Sequence, residues 1–312
     1  MKKYLKQLQA AGLLALMVPA LLLTGCNDDD NNTQPEQSIA EVVNTNSDFS
    51  LLRAAVNRAG LANALNSGTL TVFAPNNAAF QAAGLTEAAI NAQAPEAVAA
   101  VLQYHVVNSR QTAASLPVAK NTAVTALNNG TLYVTKDGNN VSVNGARVVT
   151  ADVSARNGVI HVIDKVLLPP AGNIVQIAAG NPNFTFLVAA VQRANLAPVL
   201  SGTGPFTVFA PTNDAFINTT PFTTIEQIQA ADPAALTAIL TYHVVADRVF
   251  SPTLMAGNTT TVQGGNVNVN LTNGVRVTGA GNGANASNVV LADIAATNGV
   301  IHVIDRVLLP AN

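Results

Sequence analysis

The chain has 312 residues, more than one ordinary domain needs, and 49% of them are hydrophobic, which is enough for two cores. Aromatic residues are only 4%, with no Trp, so those cores must be built from Ala, Val, Leu and Ile. Charged residues make up 10% and the formal net charge is −2, which excludes the basic face that nucleic-acid binding requires.

The chain opens with Lys2, Lys3 and Lys6 and an apolar run, Leu13 to Leu23, interrupted by Pro19. The run is short for a spanning helix and has the layout of an export signal. It ends in Leu23-Thr24-Gly25-Cys26. That pattern resembles the lipobox of bacterial lipoproteins. The resemblance implies that residues 1–25 are a signal peptide and that Cys26, the only cysteine, carries lipid. Several buried acyl chains, at about 0.8 kcal/mol per methylene, would anchor the protein stably. Its place would then be the bacterial cell envelope, with the membrane and leaflet left open. Residues 26–37 have no apolar residue beyond Cys26 and are expected to form a disordered tether.

A first domain is expected over residues 38–169. Ser38-Ile-Ala-Glu41 has capping-box spacing and predicts a short helix. Phe49, Leu52, Ala55, Val56 and Ala59 recur at helical spacing, with Gly60 as a stop. Thr69 to Pro75 reads as a strand ended by proline. Asn76 caps a short helix, Thr86 another, and Pro95 opens a third that runs into Tyr104-His105. The remainder reads as β: Thr131 to Lys136, Val141 to Val143, Arg147 to Ala151, and a closing Asn-Gly-Val-Ile-His-Val-Ile-Asp segment from Asn157 to Asp164.

Residues 170–172 are a short linker, and residues 173–312 repeat the same order of elements about 140 residues later, a period that means duplication of a whole domain. Phe206 to Pro211 answers Leu70 to Pro75, and Tyr242-His243 answers Tyr104-His105. The closing segment Asn298 to Pro310 differs from Asn157 to Pro169 at one position, Arg306 for Lys165. Its Val-Ile-His-Val-Ile run is apolar on both sides, as in a strand covered on both faces. The Gly279 to Asn285 stretch reads as a loop insertion of the second copy.

The Thr-Val-Phe-Ala-Pro segment, the Tyr-His pair and the closing Asn-Gly-Val-Ile-His-Val-Ile-Asp segment together resemble the fasciclin-like domain family. The resemblance covers nearly everything after residue 37. It implies an α+β fold with two tandem domains, each a wedge-like β-sandwich with several packed helices. It further implies a non-enzymatic adhesion or matrix protein with no cofactor, whose partner is a surface protein or a polysaccharide. A periplasmic binding module for a polysaccharide or a small apolar ligand is the alternative.

Four histidines stand inside the motifs: His105, His161, His243 and His302. With so few candidate ligands and one cysteine, no metal site is expected. His161 and His302 have apolar neighbours and, with Asp164 and Asp305, read as a buried structural motif. Tyr104, His105, Tyr242 and His243 are candidates for either binding or fold integrity. Asp152 and Asp293 precede the closing strands where the family has a segment implicated in integrin binding in animal members; the alternative reading is that they fix a turn. A triad of Ser154, His161 and Asp152 is the catalytic alternative. No Gly-x-Ser-x-Gly elbow supports it, and the second copy has Ala295-Ala296 in place of Ser154-Ala155.

Overall fold

The computed structural model describes residues 36–311. The signal peptide, Cys26 and the tether up to residue 35 lie outside the described residues. The last two tether residues do not hang free: the Gln37 carbonyl accepts from the Arg156 backbone N–H at 3.0 Å.

The first domain begins with α1 (Ile39–Thr45) and α2 (Ser50–Ala59), then β1 (Leu70–Pro75). Three short helices follow, α3 (Asn77–Ala82), α4 (Glu87–Ala92) and α5 (Pro95–Tyr104). The second half is β2 (Val106–Val107), β3 (Thr122–Thr125), β4 (Thr131–Asp137), β5 (Asn140–Val143), β6 (Ala146–Ala155) and β7 (Gly158–Ile163). Local sequence explains the helix starts. Ser38 and Glu41 form a reciprocal capping box, and Asn76 and Thr86 each accept from the N–H three residues on. Gly60 ends α2 in the left-handed region at φ 67°.

The second domain repeats this with α6 (Ile174–Ala179), α7 (Thr185–Arg193), α8 (Ala197–Leu200), β8 (Phe206–Pro211), α9 (Asn213–Thr219), α10 (Ile225–Ala230) and α11 (Pro233–Tyr242). Its strands continue as β9 (Val244–Val245), β10 (Gly257–Thr260), β11 (Asn266–Asn270), β12 (Arg276–Gly279), β13 (Ser287–Ala296) and β14 (Gly299–Ile304).

Each domain has one seven-stranded sheet, ordered β2-β1-β7-β6-β5-β4-β3 and β9-β8-β14-β13-β12-β11-β10. The closing strand lies inside the sheet, parallel to the strand that opened it: Phe73 pairs with His161, and Phe209 with His302. Side-chain alternation then sends each strand's residues to two layers. Val72, Ala74 and Ile160 face the helices, in a cluster with Leu52, Val56 and Leu102. Phe73 and Ile163 face the other way and meet Leu132, Val134, Val141 and Val143. The sheet therefore folds over on itself, and a bond from Leu127 N–H to the Val106 carbonyl at 2.7 Å nearly closes it. The second domain has matching clusters of its own, and among the described residues no cluster spans the two domains. Each fully buried Val or Ile of the closing strand contributes about 1.5–3 kcal/mol.

The sheets differ from the sequence reading at an edge and at the aspartates. Edge strands β3 and β10 were not foreseen; only alternate residues are half-buried along Thr122–Thr125 and Gly257–Thr260, so they carry no apolar periodicity. Strands β6 and β13 do not end before the aspartate. They run through it, with register shifts between Val148 and Val153 and between Val289 and Ile294. Asp152 and Asp293 sit in these bulges at φ 58° and 69°. The bulge keeps strand pairing on both sides of a residue whose backbone is left-handed.

Candidate functional site

The two histidines of each domain are held in different ways. His105 caps α5 at its C-terminal end. Its Nδ1 lies 2.7 Å from the Val101 carbonyl, and its Nε2 accepts from the Leu167 N–H at 2.9 Å. His243 does the same with Ile239 and Leu308, at 2.8 Å each. An acceptor role at Nε2 places the proton on Nδ1. The imidazole thus ties the last turn of the helix to the segment after the closing strand. Burial pulls the pKa of both rings from the usual 6.5 to about 4. The neighbouring Tyr104 is fully buried, with its hydroxyl donating to the Thr131 carbonyl at 2.7 Å and accepting from Asn144 at 2.8 Å. Burial pushes that phenol up to about 12. Tyr242 makes the equivalent bond to the Asn266 carbonyl and accepts from the Ala280 N–H at 3.0 Å.

His161 and His302 use the opposite tautomer. The bulge turns the Asp152 N–H toward His161 Nδ1 at 3.3 Å, while Nε2 donates to the Gln111 carbonyl at 2.7 Å. His302 has the same pair in Asp293 and Val249, at 3.3 and 2.8 Å. The rings stack on Phe73 and Phe209, with centroids 5.5 and 5.6 Å apart. Burial lowers the His302 pKa, and the charge of Asp293 opposes this. Both ring nitrogens of His161 are occupied, and the Ser154 hydroxyl points to Glu36 at 3.3 Å instead. Ser154, His161 and Asp152 are therefore not assembled as a triad.

Asp164 and Asp305 clasp the start of the preceding strand, accepting from the Arg147 N–H at 2.8 Å and the Asn288 N–H at 2.7 Å. They do this from the rim. Asp164 is half-buried and Asp305 is exposed, which corrects the expectation of a buried aspartate. The closing strand leaves the core at Ile163 and Ile304, one residue before each aspartate.

Asp152 and Asp293 occupy equivalent bulges but different surroundings. Asp152 is exposed and accepts from the Ala113 N–H at 2.8 Å. The Asp293 side chain is only 3% exposed. It accepts from the Ser251 N–H at 2.6 Å and from the Ser251 hydroxyl, and Lys165 of the first domain reaches it at 2.6 Å. Gly145 of the first domain lies against it so closely that an added Cβ would stand 2.3 Å from the carboxyl carbon. Nearby, the Arg248 guanidinium sits 4.0 Å from the centroid of the Tyr133 ring and donates to the Gly299 carbonyl at 2.7 Å. Asn121 donates to the Arg248 carbonyl at 2.6 Å. The β4–β5 face of the first domain therefore holds the bulge face of the second. Sequence reasoning missed Asn121, Tyr133, Gly145 and Arg248 as a group. The one available signal was Lys165, the single departure between the two closing segments.

Fasciclin-domain models match residues 47–169 and again 182–310. The chain belongs to the fasciclin-domain family. Among curated relatives, Protein sll1483 of Synechocystis sp. is 42% identical over 151 residues, 48% of this chain and 79% of that protein. Transforming growth factor-beta-induced protein ig-h3 of Oryctolagus cuniculus is 34% identical over 254 residues, 78% of this chain and 35% of that protein. Among solved structures, a FAS1 domain pair from the insect cell adhesion molecule Fasciclin I aligns over 83% of this chain and 95% of that chain, at 20% identity and a TM-score of 0.38. Within both fasciclin domains, the Tyr-His pairs and the closing-strand histidines are spent on internal hydrogen bonds. Among the described residues no helix is long and apolar enough to cross a membrane.

Proposed function

We propose that the protein is a non-enzymatic adhesion module of a bacterial envelope, anchored through lipid on Cys26, whose outer surfaces meet a surface protein or polysaccharide. Fasciclin domains are typical of cell-adhesion proteins. The observation that carries the reading is the internal use of the motif side chains. Each motif histidine has both ring nitrogens engaged within its own domain, so recognition falls to the exterior. The reading predicts that a deletion strain loses surface attachment. Wild-type protein should restore it and Cys26→Ala should not. Unchanged attachment in the deletion strain would overturn the reading.

A further inference from the structure

The face that the first domain uses to hold the second exists on the second domain too, and there it is open. Register fixes the correspondence. Tyr104 bonds the Thr131 carbonyl and Tyr242 the Asn266 carbonyl, so Tyr133 corresponds to Asn268. Val143 pairs with Val134 and Val277 with Val269, so Gly145 corresponds to Gly279. On the first domain these positions lie under Arg248 and Asp293. On the second they border a groove of about 700 Å³.

We propose that this groove is a binding site for a neutral glycan chain. Asn258, Gln263, Asn266, Asn268 and Thr278 line it, beside Tyr242 and small or apolar residues, and among the described residues no Asp, Glu, Lys or Arg does. Without charged side chains the described lining holds a phosphate or an acidic polymer weakly, and four amides beside apolar ground suit the hydroxyls and C–H faces of a sugar better than a lipid chain. Amides suit hydroxyls, because each supplies two N–H donors and a carbonyl acceptor. They are also held in place: Asn268 donates to Asn258 at 3.1 Å, Thr260 to Asn266 at 3.0 Å, and the Gly265 N–H to Gln263 at 2.9 Å. Each internal bond leaves further donors and lone pairs for a ligand. The outward positions of β11 are Asn266, Asn268 and Asn270, all exposed, while Val267 and Val269 point into the core. Asn is a poor strand former, so three in alternation cost stability that a simple solvated face would not require. The volume falls in the range of ligand sites.

A second copy of the chain fits this face poorly. Asn268 offers no ring to a guanidinium. The space over Gly279 is filled from within the domain by Asn282 and Leu309, whose atoms lie 2.5 and 2.6 Å from a Cβ placed there.

The assignment rests on the adhesion reading and is tested separately from it. Detergent-solubilised full-length protein is applied to a printed array of neutral and acidic glycans, then titrated with the best neutral hit. Wild type is expected to bind neutral glycans. Asn266→Ala combined with Asn268→Ala is expected to weaken binding at least tenfold with an unchanged melting temperature, and Asn268→Tyr to weaken it likewise. Asn270→Ala, outside the groove, should leave it intact. Binding to no neutral glycan, preference for acidic ones, or full binding by the double variant would overturn the assignment. So would concentration-dependent self-association of wild type that the double variant abolishes. A deletion strain that regains attachment with the double variant sinks the groove but not adhesion; one that never lost attachment sinks adhesion itself.

Discussion

The β4–β5 face of the first domain and the β11–β12 face of the second have the same backbone and different tasks. On the first, Tyr133 and the bare backbone at Gly145 accept an arginine and a buried aspartate from the other domain. On the second, Asn268 replaces the ring and a local turn fills the space over Gly279. The bulge faces differ in the same way: Asp293 is enclosed by Ser251 and Lys165, and Asp152 is exposed. Duplication thus preserved the core and reassigned the surface. Few side chains were needed, because a sheet face is chosen by alternate residues alone.

Acidification should give the largest effect, and its part through His105 and His243 should be alike in both domains. Above pH 6.5 His105 and His243 are neutral folded or unfolded. Below it the unfolded chain binds protons that the buried rings resist down to about pH 4, so stability falls across that window. The loss is about 3 kcal/mol per histidine at the acid end. Urea unfolding from pH 7 to 4 measures it, and stability that rises on acidification contradicts it. Next, His105→Ala and His243→Ala should each cost about 2–4 kcal/mol at pH 7, because each leaves the N–H of Leu167 or Leu308 buried without its acceptor. Unequal losses in the two domains would break the symmetry argued above. Asymmetry should appear at the bulges. Asp293→Asn keeps a residue that tolerates positive φ and removes the charge facing Lys165, costing about 1–2 kcal/mol, whereas Asp152→Asn should cost under about 0.5. Thermal unfolding of the pair decides this. Tyr133→Asn should cost about 0.5–1 kcal/mol from loss of the cation–π contact, and the reciprocal Asn268→Tyr should cost nothing, Tyr being the better strand former.

The fold was legible where local chemistry and burial agree. The double-faced apolar run at Val159–Ile163 could only be an inner strand, and Ser38, Asn76 and Thr86 announced their helices. The edge strands were not legible, because Thr122–Thr125 and Gly257–Thr260 bury too little to leave a pattern. The bulges were hidden for another reason. Asp152 and Asp293 look like strand ends, and only the imidazole opposite them explains why the chain stays in the sheet. The histidines were readable as buried groups, but their tautomers depend on partners 9 to 65 residues away. The contact between domains was almost invisible, since Arg248 resembles Arg110, which makes the same bond to the closing strand while facing solvent.

The most direct test of the paired faces is a double-mutant cycle on Lys165 and Asp293, using Lys165→Met and Asp293→Asn with the stability of the full chain as readout. The contact at 2.6 Å on a nearly buried carboxylate predicts a coupling of about 1 kcal/mol, and the same cycle on Arg306 and Asp152 predicts none. Additive losses at Lys165 and Asp293 would mean that the two domains do not meet through this face.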